Sequence, residues 1–150
     1  MSQTWVIDAC VGAKWWLSDE EYVAEAAQVL KAVRKEEIQL CVPDLWIYEL
    51  ANVLVQTHRK KRLAKEQAQV FIVEIEGMPV LVYPIHEKMS RIIELASQYT
   101  LSAYDAAYLA LAESLDCKLL TADDALFKSV VGKCRFVHHL QEAKGLFRTK

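Results

Sequence analysis

The sequence has no CxxC pair, and its four cysteines, Cys10, Cys41, Cys117 and Cys134, are scattered along the chain. That excludes a zinc ribbon and the disulfide framework of a small secreted domain. Their neighbours are mostly apolar, as in Leu40-Cys41-Val42. They read as small buried hydrophobes in a reducing compartment, so the expected address is cytoplasmic. Glycine and proline are scarce, four and three in 150 residues, which excludes collagenous and low-complexity classes. No apolar run approaches the ~18 residues of a membrane span. The longest, from Ala106 to Ala112, is short and alanine-rich, so no membrane contact is expected. The first lysine is Lys14, so the start lacks a cationic lead-in and no signal peptide is expected. Charge of one sign is also missing. Eighteen basic residues face 20 acidic ones, whereas a nucleic-acid binder that works by bulk charge is basic. Any such role must come from local charge.

What remains is a chain that is 53% apolar and 25% charged. It is long enough for one domain over residues 1–150 with a sizeable core, burying roughly 68–70% of its unfolded surface. Short β-prone runs alternate with helical spacing. Trp5-Val6-Ile7, Leu40-Cys41-Val42, Val80–Tyr83, Lys118–Thr121 and Arg135-Phe136-Val137 read as strands. Helices are expected over about 22–34, 44–58, 64–75, 87–99, 102–115 and 124–130. This alternation implies right-handed crossovers in an α/β fold. The expected architecture is a three-layer α/β/α sandwich with a mostly parallel central sheet. Ligands of such sheets bind beyond the carboxyl ends of the strands.

Acidic residues fall at those ends. Asp8 directly follows the first strand and is either a metal-binding carboxylate or a helix N-cap. Glu49 has Leu45, Trp46 and Val53 at helical spacing, which puts it on or beside an apolar stripe. A carboxylate there needs a cation, a hydrogen-bond network or a raised pKa. Asp105 shares a face with Tyr108 and Leu109, and also fits a capping box with Ser102. Thr121 and Asp124 fit a second capping box, which leaves Asp123 to point across the strand ends. Carboxylates that meet in one pocket repel, and a hard divalent cation relieves that repulsion. Oxygen-only ligands suit Mg²⁺ or Mn²⁺, and no His or Cys joins at a spacing that suits zinc.

These residues resemble the PIN domain. The carriers are Val-Ile-Asp8, Glu49 in Tyr-Glu-Leu-Ala-Asn-Val-Leu, Asp105 in Tyr-Asp-Ala-Ala-Tyr-Leu-Ala-Leu-Ala, and Leu-Leu-Thr121-Ala-Asp123. More narrowly the chain is similar to the VapC-type ribonuclease toxins of toxin–antitoxin pairs. The resemblance spans residues 4 to about 137 and is most specific from Leu101 to Phe127. It implies cleavage of RNA with Mg²⁺ or Mn²⁺, leaving a 5′-phosphate and a 3′-hydroxyl. It makes Asp8, Glu49, Asp105 and Asp123 the acidic site, with Asp8 and Asp105 as primary ligands and Thr121 as the supporting hydroxyl. It further implies a homodimer and a VapB-like antitoxin that places a basic side chain in the acidic pocket. One position departs from the pattern: Cys10 stands where Ser, Thr or Asn is usual, and a thiol is a poor ligand for hard cations.

Three features lie outside that constellation. His58-Arg59-Lys60-Lys61-Arg62, with Lys65, is a local basic run that suits RNA phosphates or a solvated helix end. Taking the four acids from the 20 leaves 16 against 18 basic residues, so the rest of the surface is mildly basic. Trp15 and Trp16, expected on a short early helix, are adjacent and cannot both face one core, which suggests an oligomer contact. His138 and His139 are expected in a loop or on the surface. The competing functions are a housekeeping RNA-processing nuclease and a non-catalytic PIN-like module that binds RNA or protein. An acidic-pocket phosphatase of Asp-x-Asp type does not fit Asp8-Ala9-Cys10.

Overall fold

The computed structural model describes residues 2–147. The strands are β1 (Gln3–Ile7), β2 (Ile38–Pro43), β3 (Val80–Tyr83), β4 (Lys118–Thr121) and β5 (Val137–His139). The helices are α1 (Ala9–Ala13), α2 (Val23–Arg34), α3 (Leu45–Arg59), α4 (Lys65–Glu76), α5 (Met89–Tyr99), α6 (Ala103–Ser114), α7 (Asp124–Val130) and α8 (Ala143–Leu146). Single 3-10 turns, His86–Lys88 and Leu140–Glu142, lead into α5 and α8.

The five strands form one sheet in the order β3-β2-β1-β4-β5, and every pair is parallel. The expected mostly parallel α/β/α sandwich is therefore present, with no antiparallel member. The chain steps outward from β1 to β2 to β3, then returns past β1 to lay down β4 and β5. The direction of winding reverses between β1 and β4. Right-handed crossovers put α2 on one face of the sheet and α6 on the other. A crevice opens beyond the carboxyl ends of β1 and β4, where the two outgoing chains diverge.

Packing follows from the apolar runs. Val6, Ile7, Leu40, Val42, Leu119 and Leu120 are fully buried, as expected of strands covered on both faces. Helix α6 lies over the middle of the sheet, and every residue from Ala106 to Ala112 is buried. A helical segment apolar on all sides belongs inside, and the four alanines between Ala106 and Ala112 let it sit close to the strands. Trp46 on α3 is fully buried against α1. A Cβ on Gly12 would lie 2.8 Å from Trp46 Cζ2, so that contact requires glycine. Trp46 Nε1 donates to the carbonyl of Asp8 at 3.3 Å, tying α3 to the end of β1.

Four local expectations are corrected. Helix α1 stops at Ala13, so Trp15 and Trp16 lie in the turn beyond it. Both are half-buried within the chain: Trp15 Nε1 donates to Ala26 O at 2.8 Å and Trp16 Nε1 to Glu74 at 2.6 Å. Their indoles bridge separate elements, so both are accommodated without a second copy. The last strand is Val137–His139, displaced from Arg135–Val137 because Leu119 pairs with Val137 and Leu120 with His138. His138 and His139 therefore sit on a strand, on opposite faces, and both faces are covered. His138 packs on Trp5 at 5.5 Å, and His139 is buried against Tyr22 and Phe127. Of the cysteines, Cys41 and Cys134 are buried and Cys117 is intermediate, but Cys10 is exposed.

Candidate active site

Asp8 ends β1 and begins α1. Its N–H donates to Leu120 O at 3.3 Å, which extends the β1–β4 ladder by one residue. Its Oδ1 accepts the Val11 N–H at 3.1 Å, so it does cap α1. Its Oδ2 accepts the Thr121 hydroxyl. Thr121 Oγ1 in turn accepts the Asp123 N–H at 3.0 Å. One buried hydroxyl thus links the ends of the two strands that flank the reversal point. Asp8 is only 4% exposed, and burial pushes its carboxyl up to about 7. The Thr121 and Val11 hydrogen bonds pull it back, and the charges of Asp123 and Asp105 raise it further.

Asp123 caps α7, accepting the Leu126 N–H at 3.0 Å. The expected capping box of Thr121 with Asp124 is not formed. Thr121 stays in β4 and the helix starts two residues later than that box requires, so Asp123 takes the cap. Asp124 turns away to His139, whose Nε2 lies 2.8 Å from its Oδ1. His139 Nδ1 accepts the Gln141 N–H at 3.1 Å, which leaves Nε2 as the donor to Asp124. Asp123, not Asp124, therefore acts electrostatically on Asp8 and Asp105.

Asp105 sits in the first turn of α6, where Ser102 Oγ accepts its N–H at 3.1 Å. Burial raises its carboxyl, Asp123 adds to that, and the Ser102 hydroxyl lowers it. Glu49 is half-buried on α3 and accepts from Tyr108 Oη at 2.7 Å. Burial raises its carboxyl, Tyr108 opposes that and Asp105 adds to it. The partner that Glu49 needs is thus a phenol on α6, one turn after Asp105. The sequence carried a usable signal for Tyr108, since it shares the Asp105 face of its helix.

The charges of Asp105 and Asp123 act on Asp8, that of Asp123 on Asp105 and that of Asp105 on Glu49, so the four carboxyls, carried by four elements, form one acidic recess beyond the strand ends. Among the described residues no Lys or Arg nitrogen comes within 4 Å of any of them. Among the described residues no three His, Cys, Asp or Glu side chains are close enough together to hold a metal ion as they stand. Cys10 borders the recess, and desolvation followed by the charges of Asp8, Asp123 and Glu49 pushes its thiol up. It stays a neutral thiol and adds no ligand charge. The donor set is four carboxylates and one hydroxyl, all oxygen. Asp8, Glu49 and Asp105, whose carboxyls burial raises and which have no Lys or Arg nitrogen within 4 Å among the described residues, suit a hard divalent cation such as Mg²⁺ or Mn²⁺.

The basic run lies elsewhere. Arg59, Lys60 and Lys61 are exposed at the far end of α3, about 15 Å from Glu49 at 1.5 Å per residue. Arg62 is engaged by Asp19, at 2.9 Å from its Nε, and by Glu20 at 3.4 Å.

Residues 5–133 match the PIN domain. Ribonuclease VapC9 of Mycobacterium tuberculosis is 33% identical over 129 residues, which is 86% of this chain and 93% of the relative. The crystal structure of PAE2754 from Pyrobaculum aerophilum superposes with a TM-score of 0.71 at 21% identity, over 97% of this chain and 89% of the other. A toxin–antitoxin complex from Klebsiella pneumoniae superposes with a TM-score of 0.64 at 20% identity, over 90% of this chain and 96% of the other. With the family matched over most of its length and its four acids gathered at the reversal point, the chain belongs to the PIN domain family.

Proposed function

We propose that this protein is a divalent-metal-dependent endoribonuclease and the toxin of a toxin–antitoxin pair. What supports the reading is that the carboxyls of Asp8, Glu49, Asp105 and Asp123 act on one another while, among the described residues, no Lys or Arg nitrogen lies within 4 Å of them. The relatives' ribonuclease names and the toxin–antitoxin assembly of a structural neighbour support it. Asp8, Asp105 and Asp123, with Glu49, would hold Mg²⁺ or Mn²⁺. When bound, the ion supplies positive charge that stabilises the phosphodiester oxygens and makes water more acidic.

The chain's own groups have separable tasks. Thr121 fixes the orientation of Asp8 and so ties the ends of β4 and β1, and by accepting the Asp123 N–H it shapes the turn into α7. Tyr108 holds Glu49 Oε1 and leaves Oε2 without a protein partner. A carboxylate raised by burial is a better base than a surface one, so Glu49 takes the proton of the attacking water. Arg59, Lys60 and Lys61 attract distant phosphates of the strand. The functional partners are an RNA substrate and an antitoxin protein, and the assembly is a homodimer. Among the described residues no helix is long and apolar enough to cross a membrane. The protein acts in the cytoplasm.

The test is cleavage of single-stranded RNA in Mn²⁺ by the wild type and by Asp105→Asn. The expected result is cutting with 5′-phosphate product ends, lost in a variant that stays folded by circular dichroism. A folded Asp105→Asn protein with full activity would overturn the assignment.

A further inference from the structure

Glu49 also lines a shallow groove of about 400 Å³, together with Leu45, Tyr48, Asn52, Val53 and Tyr104. This is within the roughly 300–1,000 Å³ of small-ligand sites. Tyr48 and Tyr104 are 74% and 65% exposed. They come from different helices, α3 and α6, and each directly precedes a proposed metal ligand, Glu49 or Asp105. Neither ring contributes to the core. The lining holds no lysine or arginine, so the groove does not suit a phosphate. Its floor is apolar, from Leu45 and Val53. Asn52 offers amide donors and an acceptor. An antitoxin helix would need a longer apolar track than these two side chains provide. Two aromatic faces and one amide instead fit a flat, neutral heterocycle with polar edges.

We propose that this groove binds one unpaired base of the RNA strand, next to the phosphodiester that lies over the acids. Tyr48 and Tyr104 are the stacking surfaces, and Asn52 reads the edge of the base. Because Glu49 lines both the groove and the recess, the base and the cut bond are near neighbours on one strand. The proposal rests on the ribonuclease reading and deepens it, since it says how the chain selects where to cut.

The experiment digests a randomised single-stranded RNA pool in Mn²⁺ and sequences the product ends. It compares wild type, Tyr48→Ala/Tyr104→Ala, Tyr48→Phe/Tyr104→Phe and Asn52→Ala. Mn²⁺ affinity and sedimentation are measured on each. The wild type is expected to show a base preference at one position beside the cut. The double alanine variant should raise KM by roughly 5- to 150-fold and flatten that preference. The double phenylalanine variant should retain both properties, and Asn52→Ala should flatten the preference with a smaller rise in KM. Mn²⁺ affinity should be unchanged throughout.

Unchanged KM and preference in the double alanine variant, with cutting intact, overturns the groove and leaves the ribonuclease reading standing. Loss of a dimer in that variant without any change in cutting assigns the tyrosines to a second copy and also overturns it. A wild type that binds Mn²⁺ but leaves the random pool uncut overturns it too, because such a pool contains every short sequence. A wild type that neither binds Mn²⁺ nor cuts RNA removes the ribonuclease reading, and the groove's role with it.

Discussion

Asp19 and Asp8 occupy opposite surroundings in the same stretch of chain. Asp19 is exposed, and its hydrogen bond with Arg62 holds its carboxyl below the ordinary value. Asp8 is buried beside Asp105 and Asp123, and its carboxyl is raised. The same contrast separates two other groups. Glu94 and Glu113 at the periphery share Arg91, at 2.9 and 3.0 Å. Glu49 and Asp105 in the recess have only hydroxyl partners. Asp19, Glu94 and Glu113 are neutralised by arginines of the fold, and the recess acids are not. The fold stabilises the second group only when they are protonated or when a cation arrives from outside.

The largest effect should fall on catalysis. Asp105→Asn is expected to lower RNA cleavage at least about 100-fold. Its thermal midpoint should not fall, because the amide no longer repels Asp123. Activity assays beside thermal melts check both halves of that statement.

Next comes stability in the absence of metal. The folded-state carboxyl of Asp8 lies near 7 against an ordinary 3.8. Between those pH values the folded chain holds a proton that the unfolded chain has released. The stabilisation is full below about pH 4 and is lost as pH rises through about 7. Glu49 and Asp105 are raised too and act in the same direction. Asp8→Asn removes the cost of ionising Asp8, roughly 4 kcal/mol at 1.36 kcal/mol per pH unit. In chelator at pH 8 the variant should melt roughly 8–16 °C above the wild type, with the gain vanishing near pH 4. A constant difference across that range would break the contrast between recess and periphery.

Mn²⁺ should sharpen it. At 100 times its dissociation constant a bound ion stabilises by about 2.7 kcal/mol. The resulting rise in Tm should be larger at pH 8 than at pH 6, since protons compete for the same carboxylates. Smaller again is the effect of His139→Leu. It removes the donor to Asp124 and leaves the Gln141 N–H without its acceptor, which should cost about 1–3 kcal/mol. Chemical denaturation measures that directly. The smallest effect is expected at Arg91→Ala, where exposed ion pairs are lost. Mn²⁺ affinity should not change, and Tm should move by no more than about 3 °C.

The alternation of apolar runs and helical spacing made the layers and the parallel sheet legible, because strands covered on both faces read as unbroken apolar runs. The limits of Val80–Tyr83, Lys118–Thr121 and Asp124–Val130 follow directly from their flanking residues. The displacement of β5 was not legible, because its register is set by backbone pairing with β4. Asp8 and Asp105 were legible as candidates, though each also fitted a cap. In the fold Asp8 accepts the Val11 N–H, so the cap is made, and the ligand role proposed for Asp8 has to be compatible with it. That Asp123 itself caps α7 was not legible, because it depends on the helix starting two residues later than a Thr121 cap requires. His139 reaches Asp124 only after β5 is in place, so no local pattern announced that pair. The exposure of Tyr48 and Tyr104 depends on how α3 and α6 are oriented, which spacing alone does not specify.

The central claim is that the recess acids are kept without a counter-charge so that a divalent cation can supply one. Calorimetric titration of Mn²⁺ into the wild type and into Asp105→Asn at pH 8 tests it most directly. The account predicts saturable binding to the wild type, with proton release, and a loss of at least tenfold in affinity in the variant. Equal binding by both proteins, or none by either, would contradict it.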